Sequence, residues 1–103
     1  MSDKYANLEL VKNDDLKRFE MDVEGHTAFI EYILTKDNVM FLTHTEVPVA
    51  LEGKGIGGSI VSKTLNYIKE NGHTLAPLCP FVASYLRKHP EWKTLLAKGY
   101  NVD

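Results

Sequence analysis

Leu51-Glu52-Gly53-Lys54-Gly55-Ile56-Gly57-Gly58 lies where a strand-like run gives way to an amphipathic helix. Four glycines in six positions let the backbone turn sharply, reach positive φ and approach a ligand without Cβ clashes. The first-turn N–H groups of the helix lack intrahelical partners and stand at the positive end of its dipole, which suits phosphate oxygens. The stretch reads as a pyrophosphate cradle, with a tight strand-to-helix connection as the plain alternative. It is not a Walker A loop, because no Gly-Lys-Ser/Thr closes it. Nor is it a dinucleotide fingerprint, since a meander and not a βαβ unit precedes it.

Upstream of the glycines the pattern has period two. Phe19, Met21 and Val23 interleave with Arg18, Glu20 and Asp22, as in a half-buried strand. Glu24-Gly25 turns the chain into a second run, His26 to Leu34, with Ala28, Ile30, Tyr32 and Leu34 on one face. The polar turn Lys36-Asp37-Asn38 leads into Val39 to Val47, and an earlier strand is expected over Leu8 to Val11. Together these predict four antiparallel strands.

Downstream the period becomes helical. Ile56, Ile60 and Ile68 share one row and Val61 and Leu65 the adjacent row, opposite Ser59, Ser62, Lys63, Asn66 and Lys69. Asn71-Gly72 ends this helix in the left-handed manner. Thr74 to Leu78 is then a short strand, returning parallel to Val39–Val47 by a right-handed crossover. Pro80 suits the first position of a second helix, with Phe81, Val82, Tyr85 and Leu86 as its inner face, ending before Pro90. A last short helix is expected from Pro90 to Gly99. The order is β-β-β-β-α-β-α, an α+β fold with a mixed sheet, and both the glycine loop and Cys79 fall at the carboxyl ends of strands, where ligands bind in such sheets.

At 103 residues the chain makes one domain with one core. Hydrophobic residues at 44%, charged residues at 25% and a net charge of −2 describe an ordinary globular chain and argue against nucleic acid, which requires a basic face, as the main partner. No apolar run has the length of a membrane span, and Met1-Ser2-Asp3-Lys4-Tyr5 lacks a signal-peptide h-region. One cysteine, Cys79, makes no internal disulfide, and no Cys/His cluster has metal-ligand spacing. A reduced cytoplasmic protein without a structural metal is the expectation.

Five side chains invite chemistry. His44 and Glu46, two apart on one strand, share a face, expected to include Leu42, while Phe41, Thr43, Thr45 and Val47 form the other. Ionisable groups entering an apolar strand just before a phosphate loop suit proton transfer, though a wet sheet edge explains them equally. Cys79 falls at the N-cap of the Pro80 helix, where the dipole favours thiolate; an inert core cysteine is the alternative. Tyr85 lies nearly two turns further along, and Lys54 offers a point charge beside the cradle.

The runs Thr43-His44-Thr45-Glu46-Val47-Pro48, Leu51 to Gly57, Pro77-Leu78-Cys79-Pro80-Phe81-Val82 and His89-Pro90-Glu91 together resemble the small single-domain GCN5-related N-acetyltransferase-like family. The resemblance covers most of the chain from the second strand onward. It implies an antiparallel meander followed by β-α-β-α, with a splayed parallel strand pair that admits an acyl-pantetheine arm. It further implies acetyl-CoA or CoA held at Val47, Gly53, Lys54, Gly55, Ile56, Gly57, Gly58, Ser59 and Tyr85, and acetyl transfer to an amine of a small molecule or peptide. Cys79 takes the active-site cysteine's place, with His44 or Glu46 receiving the amine proton. Direct attack by the amine is the expected route, and an acetyl-Cys79 stage the other. Glu52 stands where the family usually has Gln or Arg, and the two helices after the first strand and a final hairpin are missing. A CoA-binding module without turnover is therefore the competing reading. A monomer or weak homodimer is expected, with no nucleic acid or membrane as partner.

Overall fold

The computed structural model describes Tyr5 and residues 7–102. Strands β1 (Val11–Asn13), β2 (Arg18–Val23), β3 (His26–Leu34) and β4 (Val39–Glu46) are followed by a 3-10 turn at Val49–Leu51 and helix α1 (Ile56–Glu70). Strand β5 (Thr74–Pro77), helix α2 (Pro80–Lys88) and a 3-10 segment, Pro90–Leu95, complete the chain. The sheet runs in sequence order, antiparallel from β1 to β4 and parallel between β4 and β5.

One face of this sheet makes the core. Phe19, Met21, Ala28, Ile30, Met40, Leu42 and Leu75 are fully buried there, and Ile60, Val61, Leu65 and Ile68 of α1 are buried with them. The two periodicities meet: alternate strand residues and a helical stripe exclude water from one another, each large aliphatic contributing roughly 2 kcal/mol on burial. Turn chemistry sets the strand ends. Glu24 and Gly25 both have positive φ, 52° and 81°, the two-residue hairpin geometry that matches strand twist. Gly72, at φ 72°, closes α1 as expected. Asn38 ties the β3–β4 turn to the α1–β5 turn, its Nδ2 donating to the Gly72 carbonyl at 2.8 Å and its own carbonyl accepting Thr74 N–H at 3.1 Å.

The structure corrects the sequence reading in four places. The first strand is Val11–Asn13, not Leu8–Val11. Leu8 and Leu10 pack half-buried on the core, while polar ties fix the pairing: Asn13 Nδ2 donates to Glu20, and the Tyr32 hydroxyl donates to Asp14. The terminal segment is 3-10 helix only to Leu95; Leu96 then pairs with Leu75 as a parallel bridge, and Ala97 N–H reaches the Leu75 carbonyl at 2.9 Å. β4 and β5 also stop one residue short of Val47 and Leu78, before Pro48 and at a tight turn that bonds Leu78 N–H to the Ala76 carbonyl.

The fourth correction concerns β4. Tyr32 pairs with Leu42 but Glu31 pairs with His44, so Thr43 is an extra residue, a β-bulge. A bulge shifts the period-two pattern by one. Thr45 therefore opposes buried Ile30, on the face Leu42 shares with the core, whereas His44 and Glu46 oppose Glu31 and Phe29 on the outer face. Leu42 and His44 do not share a face after all.

Candidate functional site

The parallel pairing of β4 with β5 ends at Leu42↔Pro77. One more bond holds the strands, Cys79 N–H to the Leu42 carbonyl at 2.9 Å. Beyond it β4 continues to Glu46 while the other chain turns into α2 at Pro80. Prolines at 77 and 80 carry no N–H with which to extend the ladder, and Pro80 is preorganised for the first helical position. At the carboxyl ends of the parting strands opens a cleft of about 280 Å³, lined among others by Val47, Leu51, Gly53, Ile56, Gly57 and Phe81.

The glycine loop forms one rim. Gly53 and Gly55 have φ 77° and 80°, a conformation that costs other residues about 1–2 kcal/mol. Gly55 is the N-cap of α1, and no side chain caps that end. A Cβ built on either glycine would meet nothing within 4 Å, so the loop presents open backbone. These features fit a diphosphate, bound by main-chain N–H groups at the positive helix end. A second hollow of about 220 Å³, lined by Gly55, Gly58, Ser59, Ser62 and Tyr85, adjoins the cleft.

Each predicted binding residue has a distinct setting. Ile56 is fully buried, which leaves only its backbone to face a ligand, and Val47 packs half-buried against the core. Ser59 is buried in α1. Lys54 points to the β2–β3 turn, its Nζ 3.2 Å from Glu24. Tyr85 leans over Gly58, 3.8 Å from where a Cβ would stand, and its ring stacks on His89 at 4.2 Å between centroids. Phe81, one turn before Tyr85, lies against Gly57 and remains half-exposed in the cleft. Gly57 thus has a packing role as well: it lets the Phe81 ring of α2 rest on the first turn of α1, whereas a Cβ at Gly58 would only touch Tyr85 at ordinary contact distance.

The residues expected to do chemistry divide into two groups. Cys79 is the N-cap of α2 and only 4% exposed. Its Sγ lies 3.3 Å from Thr45 Oγ1. His44 Nε2 and Glu46 Oε1 lie 2.9 Å apart on the outer face, each about half exposed, with the Phe29 ring 6.2 Å from the imidazole. The strands thus separate the thiol from the imidazole–carboxylate pair. Sequence reasoning missed Thr45 and gave Phe81 to the core; the i, i+4 spacing of Phe81 and Tyr85 was a legible signal, but the bulge that turns Thr45 inward had none.

Among the described residues, no group of three His, Cys, Asp or Glu is arranged to hold a metal ion. Among the same residues, no helix is long and apolar enough to cross a membrane.

Comparison with known proteins identifies the family and the fold. The family model described as GCN5-related N-acetyl-transferase matches residues 18–95. Among solved structures, the chain is similar to the solution structure of a GCN5-like protein from Staphylococcus aureus, provisionally assigned as an N-acetyltransferase. The TM-score is 0.67 at 24% identity, covering 89% of this chain and 90% of that one. The likeness establishes the shared fold. No curated protein matches the chain significantly.

Proposed function

This chain belongs to the GCN5-related N-acetyltransferase family, and from that premise we propose that it transfers an acetyl group from acetyl-CoA to an amine. One observation carries the reading: an uncapped helix start, opened by left-handed Gly53 and Gly55, faces a cleft at the point where β4 and β5 part. Backbone N–H groups of residues 53–58 hold the diphosphate, with Lys54 as a nearby cation, while the Ser59 N–H closes the first turn onto the Gly55 carbonyl. Val47 and Phe81 flank the pantetheine arm, and Tyr85 stands beside the diphosphate end.

The separation of Cys79 from His44 and Glu46 favours an acetyl-Cys79 stage over the direct attack expected from sequence. The Cys79 thiolate attacks the thioester carbonyl carbon; its S–C bond forms as the C–S bond to CoA breaks, and CoA leaves as a thiolate that takes a proton from water. An amine reaching the outer face of the gap then attacks the acetyl carbon. The S–C bond to Cys79 breaks, and the amine's proton passes through water to the His44–Glu46 pair. The donor and the acceptor thus use opposite faces of the sheet.

Calorimetric titration with acetyl-CoA and desulfo-CoA tests the binding step: both bind, and absence of heat with either at millimolar concentration removes the reading. Labelled acetyl-CoA leaves hydroxylamine-sensitive label on the protein that Cys79→Ala abolishes. Full turnover by Cys79→Ala returns the mechanism to direct attack.

A CoA-binding module without turnover is the second reading. It is favoured by Glu52, which lines the cleft with a negative charge, and by the short Asn13-to-Arg18 connection where acceptor-shaping helices would stand. An amine panel with no acceptor above background, together with intact acetyl-CoA binding, selects it. A single thiol suits a reducing compartment, and we place the protein in the cytoplasm as a monomer or weak homodimer.

A further inference from the structure

We propose that Thr45 is the positioning residue of the Cys79 sulfur, so that the site works as a hydroxyl–thiol pair. Oγ1 and Sγ lie 3.3 Å apart, the cysteine buried and the threonine part-buried. Two separate features of the fold produce the contact. The bulge at Thr43 rotates Thr45 off the outer face, and the Cys79 N–H bond to the Leu42 carbonyl fixes the cysteine backbone against β4. A regular β4 would keep His44 on the Leu42 face, beside the thiol. The extra residue puts a hydroxyl there instead of an imidazole, so Cys79 has no adjacent base on β4.

The chemistry of the pair follows from what each group can donate. A Thr hydroxyl is both donor and acceptor, and its β-branched side chain holds χ1 stiffly. While the cysteine is protonated, S–H donates to Oγ1. Once the proton is lost to water, O–H donates to the sulfur in turn. Cys79 makes no side-chain cap bond to α2 despite its N-cap position. The hydroxyl therefore sets the direction of the sulfur. What the sulfur is used for rests on the acetyl-transfer reading; the pairing does not.

The test is the rate of Cys79 alkylation by iodoacetamide, read by intact mass at one pH, in the parent, Thr45→Val and Thr45→Ser. Thr45→Val keeps the shape and removes the hydroxyl, and it is expected to react about tenfold more slowly, the effect of one hydrogen bond to a charged group. Thr45→Ser restores the rate to within about twofold of the parent. Should Thr45→Val not fold, Thr45→Ala replaces it with the same expectation. Equal or faster alkylation without the hydroxyl overturns the proposal, as does a parent thiol that does not react. If alkylation follows the expected order while no variant transfers acetyl, the acetyl-transfer reading fails and the pairing stands. If the parent transfers acetyl and alkylation is flat across the variants, the pairing alone fails.

Discussion

A Cβ at position 57 would stand 2.6 Å from Cζ of Phe81, so Gly57 and Phe81 share one volume on the wall of the cleft. Gly57→Ala therefore displaces the ring. The ring tip is half-exposed and free to swing, and alanine gains about 1 kcal/mol of helix propensity over glycine. We expect a change in stability below about 1 kcal/mol, together with severalfold weaker binding of acetyl-CoA. Thermal melting beside calorimetry separates the two; unchanged affinity with a shifted melting temperature would assign Gly57 to packing alone.

Gly55 behaves differently. Its φ of 80° strains any residue with a Cβ, although that Cβ would touch nothing. Gly55→Ala is expected to cost about 1–2 kcal/mol in stability, because the backbone and not the space is limiting. Denaturant unfolding checks this, and a loss below a few tenths of a kilocalorie would mean the loop relaxes to negative φ.

Lys54 and Glu24 meet across 30 residues of chain, linking the glycine loop to the β2–β3 turn. The pair is exposed and contributes little stability. Its effect is on ligand charge: Glu24 competes with a diphosphate for the ammonium. Glu24→Gln is expected to tighten acetyl-CoA binding about two- to fivefold and Lys54→Gln to weaken it, both effects shrinking at high salt. Identical affinities at low salt would show that Lys54 does not reach the ligand.

His44 and Glu46 bond to each other on the face opposite the thiol. His44→Gln should lower acetyl transfer to an amine about tenfold or more, the usual scale of a proton acceptor, while leaving acetyl-CoA affinity and Cys79 acetylation unchanged. Rapid-quench kinetics with labelled acetyl-CoA distinguishes the stages; slowed Cys79 acetylation would contradict the division of labour between the two faces.

Asp14 gives a pH signature. The hydrogen bond from Lys12, then that from the Tyr32 hydroxyl, hold its carboxyl below the ordinary range, and Lys12 is raised in turn. A depressed folded pKa stabilises the fold above the unfolded value, and that stabilisation is lost as pH falls through the folded one. Asp14→Asn should melt below the parent at neutral pH, with the gap closing once pH drops under about 4. A gap that persists into strong acid would trace the effect to something other than charge.

What the sequence by itself determined is what neighbouring residues encode. Alternation at Phe19, Met21 and Val23, the isoleucine rows of α1, Asn71-Gly72 and Pro80 fixed the element order, the parallel return of β5, the glycine loop at the start of α1 and Cys79 at the N-cap of α2. Each of these is a local preference of backbone or periodicity, written within a few residues. Only the tertiary structure decided the rest. The bulge at Thr43 has no local signature, because it arises from the register that β3 and β4 settle on together, and one extra residue exchanged His44 for Thr45 beside Cys79. The first strand moved to Val11–Asn13 because the polar groups of Asn13 and Asp14 found partners on β2 and β3, which no pattern within residues 8–13 foretells. Residues distant in sequence meet only after packing is complete, and here those meetings give the site its chemistry.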